Sequence, residues 1–332
     1  MGESDAADAR PHISVVIATY NRPDDVRMCL EHLARVTYPR WDVTLVDQSE
    51  DERTQAVAKT FAARLPTLRY RHAHLKGACR ARNLGAAESA GEIIAFTDDD
   101  CAVPPDWLTQ IAAFFARRPG AMLAFGCLTV PARHGGREWA PDGWTPSVVY
   151  NEEKEYTVVG GDRRGHPVTR THGMGASMYL RRALLRHIGP LDVHFGPGAR
   201  FLAAEESDYA HRAIAAGQGV FTTPELVVEH HGFRAYEGGA AARQYRTYAY
   251  GQGAYLMKML RLGELTTLAW MRSDLWEYAR HANLSNLLLR RGNTGLANIV
   301  MYTRGLCASF RLRVDRRRRL YTAWSSSRPR HL

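Results

Sequence analysis

The order of segments in the first 130 residues constrains the fold more than any other feature, because strand-like and helix-like patterns alternate there. Apolar and β-branched runs predict five strands, at Ile13–Thr19, Trp41–Asp47, Leu68–His72, Glu92–Thr97 and Ala121–Val130. Helix-like segments separate these runs. Strands that alternate with helices favour a mostly parallel, twisted sheet with helices on both faces. The predicted fold class is therefore α/β and Rossmann-like.

Polar residues stand where three of these strands end. Thr19 and Tyr20 close the first strand, Asp47 closes the second, and the run Asp98–Asp100 closes the fourth. In a parallel sheet of this kind, ligands bind outside the carboxyl ends of the strands. We therefore expect these side chains to meet at one rim and to form a site.

The three consecutive aspartates, Asp98, Asp99 and Asp100, are the strongest chemical signal in the sequence. Like charges this close repel one another and are costly to bury unless a cation compensates them. Carboxylate oxygens suit Mg²⁺ or Mn²⁺, and an ion held there can neutralise a diphosphate leaving group. An N-cap or a solvated loop before Pro104 explains the same residues. Asp47 is equally consistent with a helix N-cap.

The second half of the chain is less regular until it reaches an acidic helix. Residues 131–171 are rich in Gly, Pro and charge, which predicts a long active-site loop with a hairpin. A strand is expected at His172–Leu180 and a helix at Ala203–Ala216, with Glu205 and Glu206 in its first turn. The helix dipole alone stabilises acids at that place. One of them can also act as a general base that removes a proton from a nucleophile.

Beyond Gly239 the pattern predicts an almost entirely helical region that ends in a basic tail. The tail contains Arg316–Arg319, in a chain with 44 Lys and Arg against 34 Asp and Glu and a formal net charge of +10. A solvated tail explains this run, and an anionic membrane surface is the alternative because Leu320, Tyr321 and Trp324 lie beside it. No nucleic-acid-binding motif accompanies the charge, so no nucleic acid partner is expected.

The ends of the chain and its cysteines bear on its location. The first ten residues are polar and acidic, and no run approaches the ~20 apolar residues that span a bilayer. We therefore expect residues 1–11 to be a disordered leader and the protein to be cytoplasmic, or peripheral to the membrane. Five dispersed cysteines predict reduced thiols.

Four segments resemble, in order and spacing, the signature segments of family 2 inverting glycosyltransferases: VVIATYNR, VTLVDQSED, GACRARNLGAAESAGEIIAFTDDD and AEESDYAHR. The resemblance covers about residues 12–235. It implies a GT-A catalytic domain over residues 12–238, with a nucleotide-binding half at 12–130 and an acceptor half at 131–238. Residues 239–332 would form the C-terminal helical region with its basic tail.

The resemblance also implies roles for the residues that bind the nucleotide sugar. Thr19, Tyr20 and Asp47 would hold the uracil of a UDP-sugar, and Arg82, or alternatively Arg80, would lie near the base or the phosphates. In the aspartate run, Asp98 would approach the ribose, Asp99 would support it and Asp100 would bind the metal. UDP-sugars are favoured by the habit of the family, and dTDP- and GDP-sugars stay open.

The remaining roles concern metal binding and catalysis. His231 would be a second metal ligand, and Glu206 occupies the position of the usual base, where the family has aspartate. Because the longer side chain is a departure, Glu205 stays the alternative base. The chain would then be a metal-dependent hexosyltransferase that uses Mg²⁺ or Mn²⁺. It would transfer a sugar in a single displacement to a glycan, a lipid-linked sugar or a small secondary metabolite.

Two other functions were weighed against this interpretation. A sugar nucleotidyltransferase also uses an α/β sheet with acidic metal ligands, but it would carry a Gly-rich basic loop where this chain has ATYNRPDD. An inactive GT-A-like protein that binds membranes or nucleic acid is the second alternative. A failure to bind any nucleotide would support it.

Overall fold

The computed structural model describes residues 10–132, 136, 138, 142–156, 173–282 and 294–322. Most of the expected leader and much of the expected loop at 131–171 lie outside the described residues. The chain divides into two compact units, one of Met1–Val193 with Glu205–Ala241, and the other of His194–Ala204 with Ala242–Leu332.

A mixed, mostly parallel sheet forms the centre of the first unit. Its described strands are β1 (Ile13–Thr19), β2 (Trp41–Asp47), β3 (Leu68–His72), β4 (Ile93–Asp98), β5 (Cys101–Ala102), β6 (Ala121–Thr129), β8 (Lys154–Tyr156), β9 (Met178–Arg181) and β10 (Gly219–His230). The order is β3-β2-β1-β4-β9-β6-β10-β5, and β8 pairs with β10. A separate short pair joins β7 (Gly143–Trp144) to β11 (Arg234–Ala235).

The first four strands run parallel, as predicted. Strand β9 lies between β4 and β6 and is antiparallel to both. It comes from the second half of the chain, in the region where the sequence predicted a strand. The last long strand, β10, continues through Pro224 with a register shift between Thr223 and Val227. Because Pro224 has no N–H to donate, a local irregularity lets the strand continue past it.

Helices cover both faces of this sheet, as predicted. On one face lie α1 (Pro23–Leu33), α2 (Arg53–Thr60) and α4 (Trp107–Arg117), and on the other α3 (Ala78–Glu88), α5 (Arg182–Ile188) and α6 (Glu205–Ala215). Neighbouring residues of β1 show the division, since Val15 packs into the first core and Val16 into the second. Burial on both faces explains the unbroken apolar run of this strand.

The second unit is helical with one hairpin. It contains α7 (Ala240–Arg261), α8 (Thr267–Arg280), α9 (Thr294–Ser309), β12 (Arg313–Asp315) and β13 (Leu320–Thr322). Glycines allow α7 and α9 to approach closely, because a Cβ at Gly253 would lie 2.2 Å from the Tyr302 carbonyl oxygen. The hairpin was not predicted, and its turn contains the arginine run Arg316–Arg319. Among the described helices, none combines the length and apolar character needed to cross a membrane.

Candidate active site

The carboxyl ends of β1, β2 and β4 bring predicted site residues together. Thr19 is in register with Asp47 on β2, and Thr19 Oγ1 donates a hydrogen bond to Asp99 Oδ2 at 2.6 Å. These three side chains are buried. The helices that follow are preceded by Glu52 and Asp106, so the N-cap alternative for Asp47 and for the aspartate run is wrong.

Asp47 directs both carboxylate oxygens to partners within the protein. Oδ1 accepts a hydrogen bond from the Ser49 N–H, and Oδ2 accepts one from the Tyr70 hydroxyl, both at 2.8 Å. This arrangement fixes the turn after β2. Hydrogen bonding to a nucleotide base would have to share or replace one of these contacts.

Tyr20 lies at the more open side of the rim, where its side chain is exposed. Lys76 Nζ donates to the Tyr20 hydroxyl at 2.7 Å and lies 4.5 Å from the centre of its ring. Lys76 also pairs with Glu50 at 2.5 Å. Lys76 and Glu50 help to line a cavity of about 490 Å³ beside the ends of β2 and β3. The Tyr20 ring therefore offers an accessible aromatic face next to a polar cavity.

Asp99 and Asp100 both contact Arg22, which was not among the predicted site residues. Arg22 Nη1 lies 3.2 Å from Asp99 Oδ1 and 3.0 Å from Asp100 Oδ2. Burial and the charge of Asp100 raise the pKa of Asp99 to about 7 despite this contact. The only sequence signal for Arg22 was its place in the turn after β1, three residues beyond Thr19.

The histidine whose ring faces Asp100 is His230, whereas the sequence analysis chose His231. His230 Nε2 lies 3.3 Å from Asp100 Oδ1, and His230 Nδ1 donates to the Pro146 carbonyl at 2.8 Å. His231 Nε2 instead lies 2.6 Å from Glu229 Oε1. Successive residues of a strand face opposite sides, so only one of the two rings can face Asp100.

The electrostatic attraction between Asp100 and His230 stabilises the ionised form of each residue. Burial alone would raise the pKa of Asp100, but His230, Arg22 and Arg234 outweigh burial and lower it. Burial alone would lower the pKa of His230, but Asp100 raises it. The pair therefore holds a carboxylate and an imidazole in one buried place.

The residues around Asp100 fit a divalent cation. Asp100, Cys101 and His230 each offer a ligand atom, and these atoms lie within 4.8 Å of one another. A Cβ at Gly232 would lie 2.8 Å from both Asp100 Oδ2 and His230 Nε2, so the missing side chain leaves room beside them. Because Nδ1 of His230 binds a carbonyl, its Nε2 is the nitrogen suited to a metal. Burial raises the pKa of Cys101, which keeps this thiol neutral and a weak ligand.

Arg82 connects the end of β4 to the acidic helix α6. Its guanidinium lies 2.7 Å from Asp98 Oδ1, 3.4 Å from Glu205 Oε1 and 4.0 Å from Glu206 Oε1. The Arg82 side chain is buried. A Cβ at Gly175 would lie 2.6 Å from Arg82 Nη2, so glycine at this position permits the contact.

Glu205 and Glu206 differ in their access to solvent. The Glu206 side chain is 17% exposed and that of Glu205 5%. The Gly175 N–H donates to Glu206 Oε1 at 2.7 Å. Burial and the charge of Glu206 raise the pKa of Glu205 to about 8, and burial raises the pKa of Glu206 although Arg82 opposes it. The two acids therefore titrate as a pair closer to neutrality than an exposed glutamate does.

Known proteins share this sequence pattern and fold. The profile of the family described as "Glycosyl transferase family 2" matches residues 14–189. The glycosyltransferase AglE of Haloferax volcanii is 33% identical over 265 residues, which cover 79% of this chain and 75% of AglE.

Two solved structures share the fold. One is the mannosyltransferase PcManGT from Pyrobaculum calidifontis in complex with GDP-Man and Mn²⁺, with TM-score 0.53, 18% identity and coverage of 92% of this chain and 87% of that one. The other is S. aureus TarS 1-349 in complex with UDP-GlcNAc, with TM-score 0.55, 16% identity and coverage of 89% and 81%. These neighbours confirm the predicted GT-A fold. The match of the family profile to more than half of the sequence, and the 33% identity to AglE, show that the chain belongs to glycosyl transferase family 2.

Proposed function

We propose that this glycosyltransferase moves a sugar from a nucleoside diphosphate sugar to an acceptor hydroxyl, with inversion at the anomeric carbon. The observation that carries the proposal is the position of Arg82, which contacts Asp98 at the end of β4 and Glu205 and Glu206 at the start of α6. Residues for binding a nucleotide and residues for moving a proton thus share one rim. The ligands of PcManGT and TarS support a nucleotide sugar as donor and leave its base open.

The donor would lie across the ends of β1, β2 and β4. Tyr20 would present its exposed ring to the base, with Thr19 and Asp47 fixing the backbone around it. Asp98, whose side chain is 32% exposed, would approach the ribose while Arg82 holds its other face. A UDP-sugar is the favoured donor, because this rim corresponds to the uracil-binding segments named above.

Asp100 and His230 would hold Mg²⁺ or Mn²⁺, and the bound ion would neutralise negative charge on the departing diphosphate. Around that place the chain supplies its own cation, since Arg22 contacts both Asp99 and Asp100. Arg22 would turn from the carboxylates to the phosphates of a bound donor and orient them. Once it has turned, Arg22 would hold a positive charge beside the diphosphate while the bond to the sugar breaks.

Glu206 would be the general base. It is the more exposed of the two acids, and the Gly175 N–H fixes one of its oxygens, which orients the carboxylate. A pKa raised towards neutrality suits a base that must be ionised at working pH and still hold a proton well. Glu205 would instead help to position Arg82, and its electrostatic interaction with Glu206 would affect the pKa of the pair.

The acceptor would be a hydroxyl of a glycan, a lipid-linked sugar or a small metabolite. Proton transfer to Glu206 as the oxygen attacks, and loss of the nucleoside diphosphate from the opposite face, gives one displacement with inversion. We propose residues 12–238 as the catalytic domain and 239–332 as an accessory region.

The test is donor turnover without a known acceptor, with water as the nucleophile. UDP-, GDP- and dTDP-sugars are incubated with the full chain and Mn²⁺, and the released nucleoside diphosphate and the first anomer of the free sugar are measured by NMR. We expect one base to be preferred, with the β anomer released first from an α-linked donor. Glu206→Gln should remove turnover while nucleotide binding persists. Release of the α anomer first, or undiminished turnover in Glu206→Gln, contradicts the proposal.

A further inference from the structure

The second compact unit exposes most of the large apolar side chains on the described surface. Eleven such side chains are exposed among the described residues, and seven of them lie between Leu265 and Phe310. Leu265 is 69% exposed, Trp276 67% and Phe310 59%. Exposed apolar residues that occur singly are ordinary, but a concentrated group of this kind marks an interaction surface.

On α8 and α9 these residues follow the helical repeat. Among the exposed residues of α8, Leu268, Arg272, Leu275 and Trp276 share one side of the helix. The buried residues of this helix, Thr267, Met271 and Asp274, lie together on a different side. Since residues three and four apart are neighbours on a helix, the exposed residues form a continuous stripe.

The neighbouring helix has the same construction. Leu296 and Val300 lie four residues apart on α9 and are both exposed, and Phe310 follows the end of this helix. The two helices pack together, with the rings of Tyr278 and Tyr302 centred 5.7 Å apart. Each helix therefore buries one side against the unit and exposes an apolar stripe.

A cluster of arginines adjoins the start of the α8 stripe. Arg316, Arg317 and Arg318 are exposed in the turn between β12 and β13. Arg319 Nη2 pairs with Glu264 Oε1 at 2.6 Å, which ties this turn to the residue before Leu265. Within the described part of the chain, the side chains of Arg317 and Arg318 form no ion pair.

Arg261 joins the same region to Phe310. Its guanidinium lies 5.4 Å from the centre of the Phe310 ring, and it donates to the Leu312 carbonyl at 2.9 Å. The Arg261 carbonyl in turn accepts from Arg316 Nη2 at 3.3 Å. Phe310 and Arg316 thus both contact Arg261.

Charge in the sequence is concentrated in the same segment. Residues 242–332 contain 17 Lys and Arg against 4 Asp and Glu, whereas residues 1–241 contain 27 against 30. Arginines beside Leu, Trp and Phe side chains fit the boundary of an anionic bilayer, where apolar groups enter the acyl region and cations meet phosphates. A nucleic acid would use the cations but would leave the apolar stripes in water.

We propose that the surface formed by Leu265, the α8 stripe, Phe310 and the turn Arg316–Arg318 binds an anionic lipid bilayer. This lipid-docking surface is separate from the residues assigned to sugar transfer. It therefore stands whether or not the proposed donor and base assignments hold. Each basic residue near an anionic surface is worth about fivefold in binding, so a few of them decide the affinity.

The test is sedimentation of the full chain with vesicles of phosphatidylcholine alone or with about 30% phosphatidylglycerol, at low and high salt. One variant carries Arg316→Glu, Arg317→Glu and Arg318→Glu, and a second carries Leu265→Ser, Leu268→Ser and Trp276→Ser. The matched control reverses three exposed arginines of the first unit, Arg27→Glu, Arg35→Glu and Arg186→Glu. We expect salt-sensitive binding to anionic vesicles only. The affinity for anionic vesicles should fall at least about tenfold in both surface variants and stay within about twofold of the wild type in the control.

Thermal unfolding of each variant verifies that it is folded. A second measurement, fluorescence quenching, tests the proposal without relying on a variant that loses binding. Brominated lipid should quench the fluorescence of the wild-type chain more than that of Trp276→Phe, because Trp276 would reach the acyl boundary. Equal binding to neutral vesicles, equal loss in the control, full binding by the apolar variant or equal quenching in Trp276→Phe would each overturn the proposal. Displacement of the protein from vesicles by an equal charge of duplex RNA would also overturn it, in favour of a nucleic acid partner.

Discussion

His230 Nε2 lies 3.3 Å from Asp100 Oδ1, although the two residues are 130 positions apart in the sequence. The sheet itself creates this contact. β5 pairs with the end of β10 so that Cys101 is opposite His230, and Asp100 is the residue before Cys101. Backbone pairing therefore decides which of two consecutive histidines faces the aspartate run.

The first prediction separates these two histidines. His230→Gln should weaken Mn²⁺ binding at least about tenfold, because it removes an imidazole beside Asp100. His231→Gln is the matched control, since its ring contacts Glu229, and it should change the affinity less than about twofold. Calorimetric titration with Mn²⁺ alone measures both. Equal weakening, or weakening in His231→Gln only, would return the metal assignment to His231.

A second prediction concerns Arg22, which contacts the same carboxylates that would attract a metal ion. Arg22→Gln removes a competing positive charge and should tighten Mn²⁺ binding roughly threefold or more in the absence of nucleotide. The same variant should weaken binding of nucleoside diphosphate. Arg27→Gln changes an exposed arginine of α1, the helix that follows Arg22, and serves as the control. Weaker Mn²⁺ binding in Arg22→Gln would contradict the competition.

The third prediction divides the roles of Glu205 and Glu206 by pH dependence. Glu206→Gln should lower kcat about 10²- to 10⁴-fold, as expected for loss of a general base. In the wild type, kcat/KM should rise with pH, because the base must lose its proton and its pKa is raised. Glu205→Gln should keep substantial activity and move this rise to lower pH, because one of two repelling carboxylates is gone.

Stability should reveal Glu205 independently of activity. Its pKa is raised to about 8 in the folded state, above the ordinary value of about 4.3. The folded state therefore keeps the Glu205 proton to a higher pH than the unfolded state does. The resulting contribution to the free energy of unfolding is present at low pH and is lost as pH rises towards 8. The unfolding midpoint of the wild type should fall between about pH 5 and pH 8 more steeply than that of Glu205→Gln. Parallel midpoints in the two proteins would count against a raised pKa at Glu205.

A glycine tests the position of Arg82. A Cβ at Gly175 would lie within 2.7 Å of three guanidinium atoms of Arg82, so Gly175→Ala should displace that side chain from Asp98 and the acidic helix. We expect kcat/KM to fall at least about tenfold, since small misplacements near the reacting groups are costly. Gly120→Ala is the control, because a Cβ at Gly120 has no heavy atom within 4 Å. Unchanged kcat/KM in Gly175→Ala would remove Arg82 from the account.

The strands of the first 130 residues were predicted well from the sequence, because burial on both faces gives most of them unbroken apolar runs. Ile13–Thr19 and Leu68–His72 have the predicted bounds. The hairpin of β12 and β13 was missed because its charge dominates its short apolar segments. It depends on local geometry, with Asp315 Oδ1 accepting from the N–H groups of Arg317 and Arg318 and with Arg319 at φ 55°.

For the candidate site, the sequence indicated which strand ends matter but not which atoms meet. The contacts of Arg22 with Asp99 and of Arg82 with Glu205 join segments far apart in the chain. Side-chain direction after a turn, and the strand register that selects His230, follow from tertiary packing. No periodicity in the sequence encodes them.

We propose above that the rim around Asp100 binds a nucleoside diphosphate together with a divalent cation. Thermal unfolding is the measurement that tests this binding without requiring turnover. The midpoint is measured with UDP, GDP, dTDP or ADP, each with and without Mn²⁺, for the wild type and for Asp100→Asn. A ligand that binds only the folded state raises the midpoint by mass action, by about 5 °C at a hundredfold excess over Kd. The account predicts a Mn²⁺-dependent rise with one preferred nucleotide, UDP above all, and no such rise in Asp100→Asn. The same midpoint with every nucleotide, or an equal rise in Asp100→Asn, would contradict it.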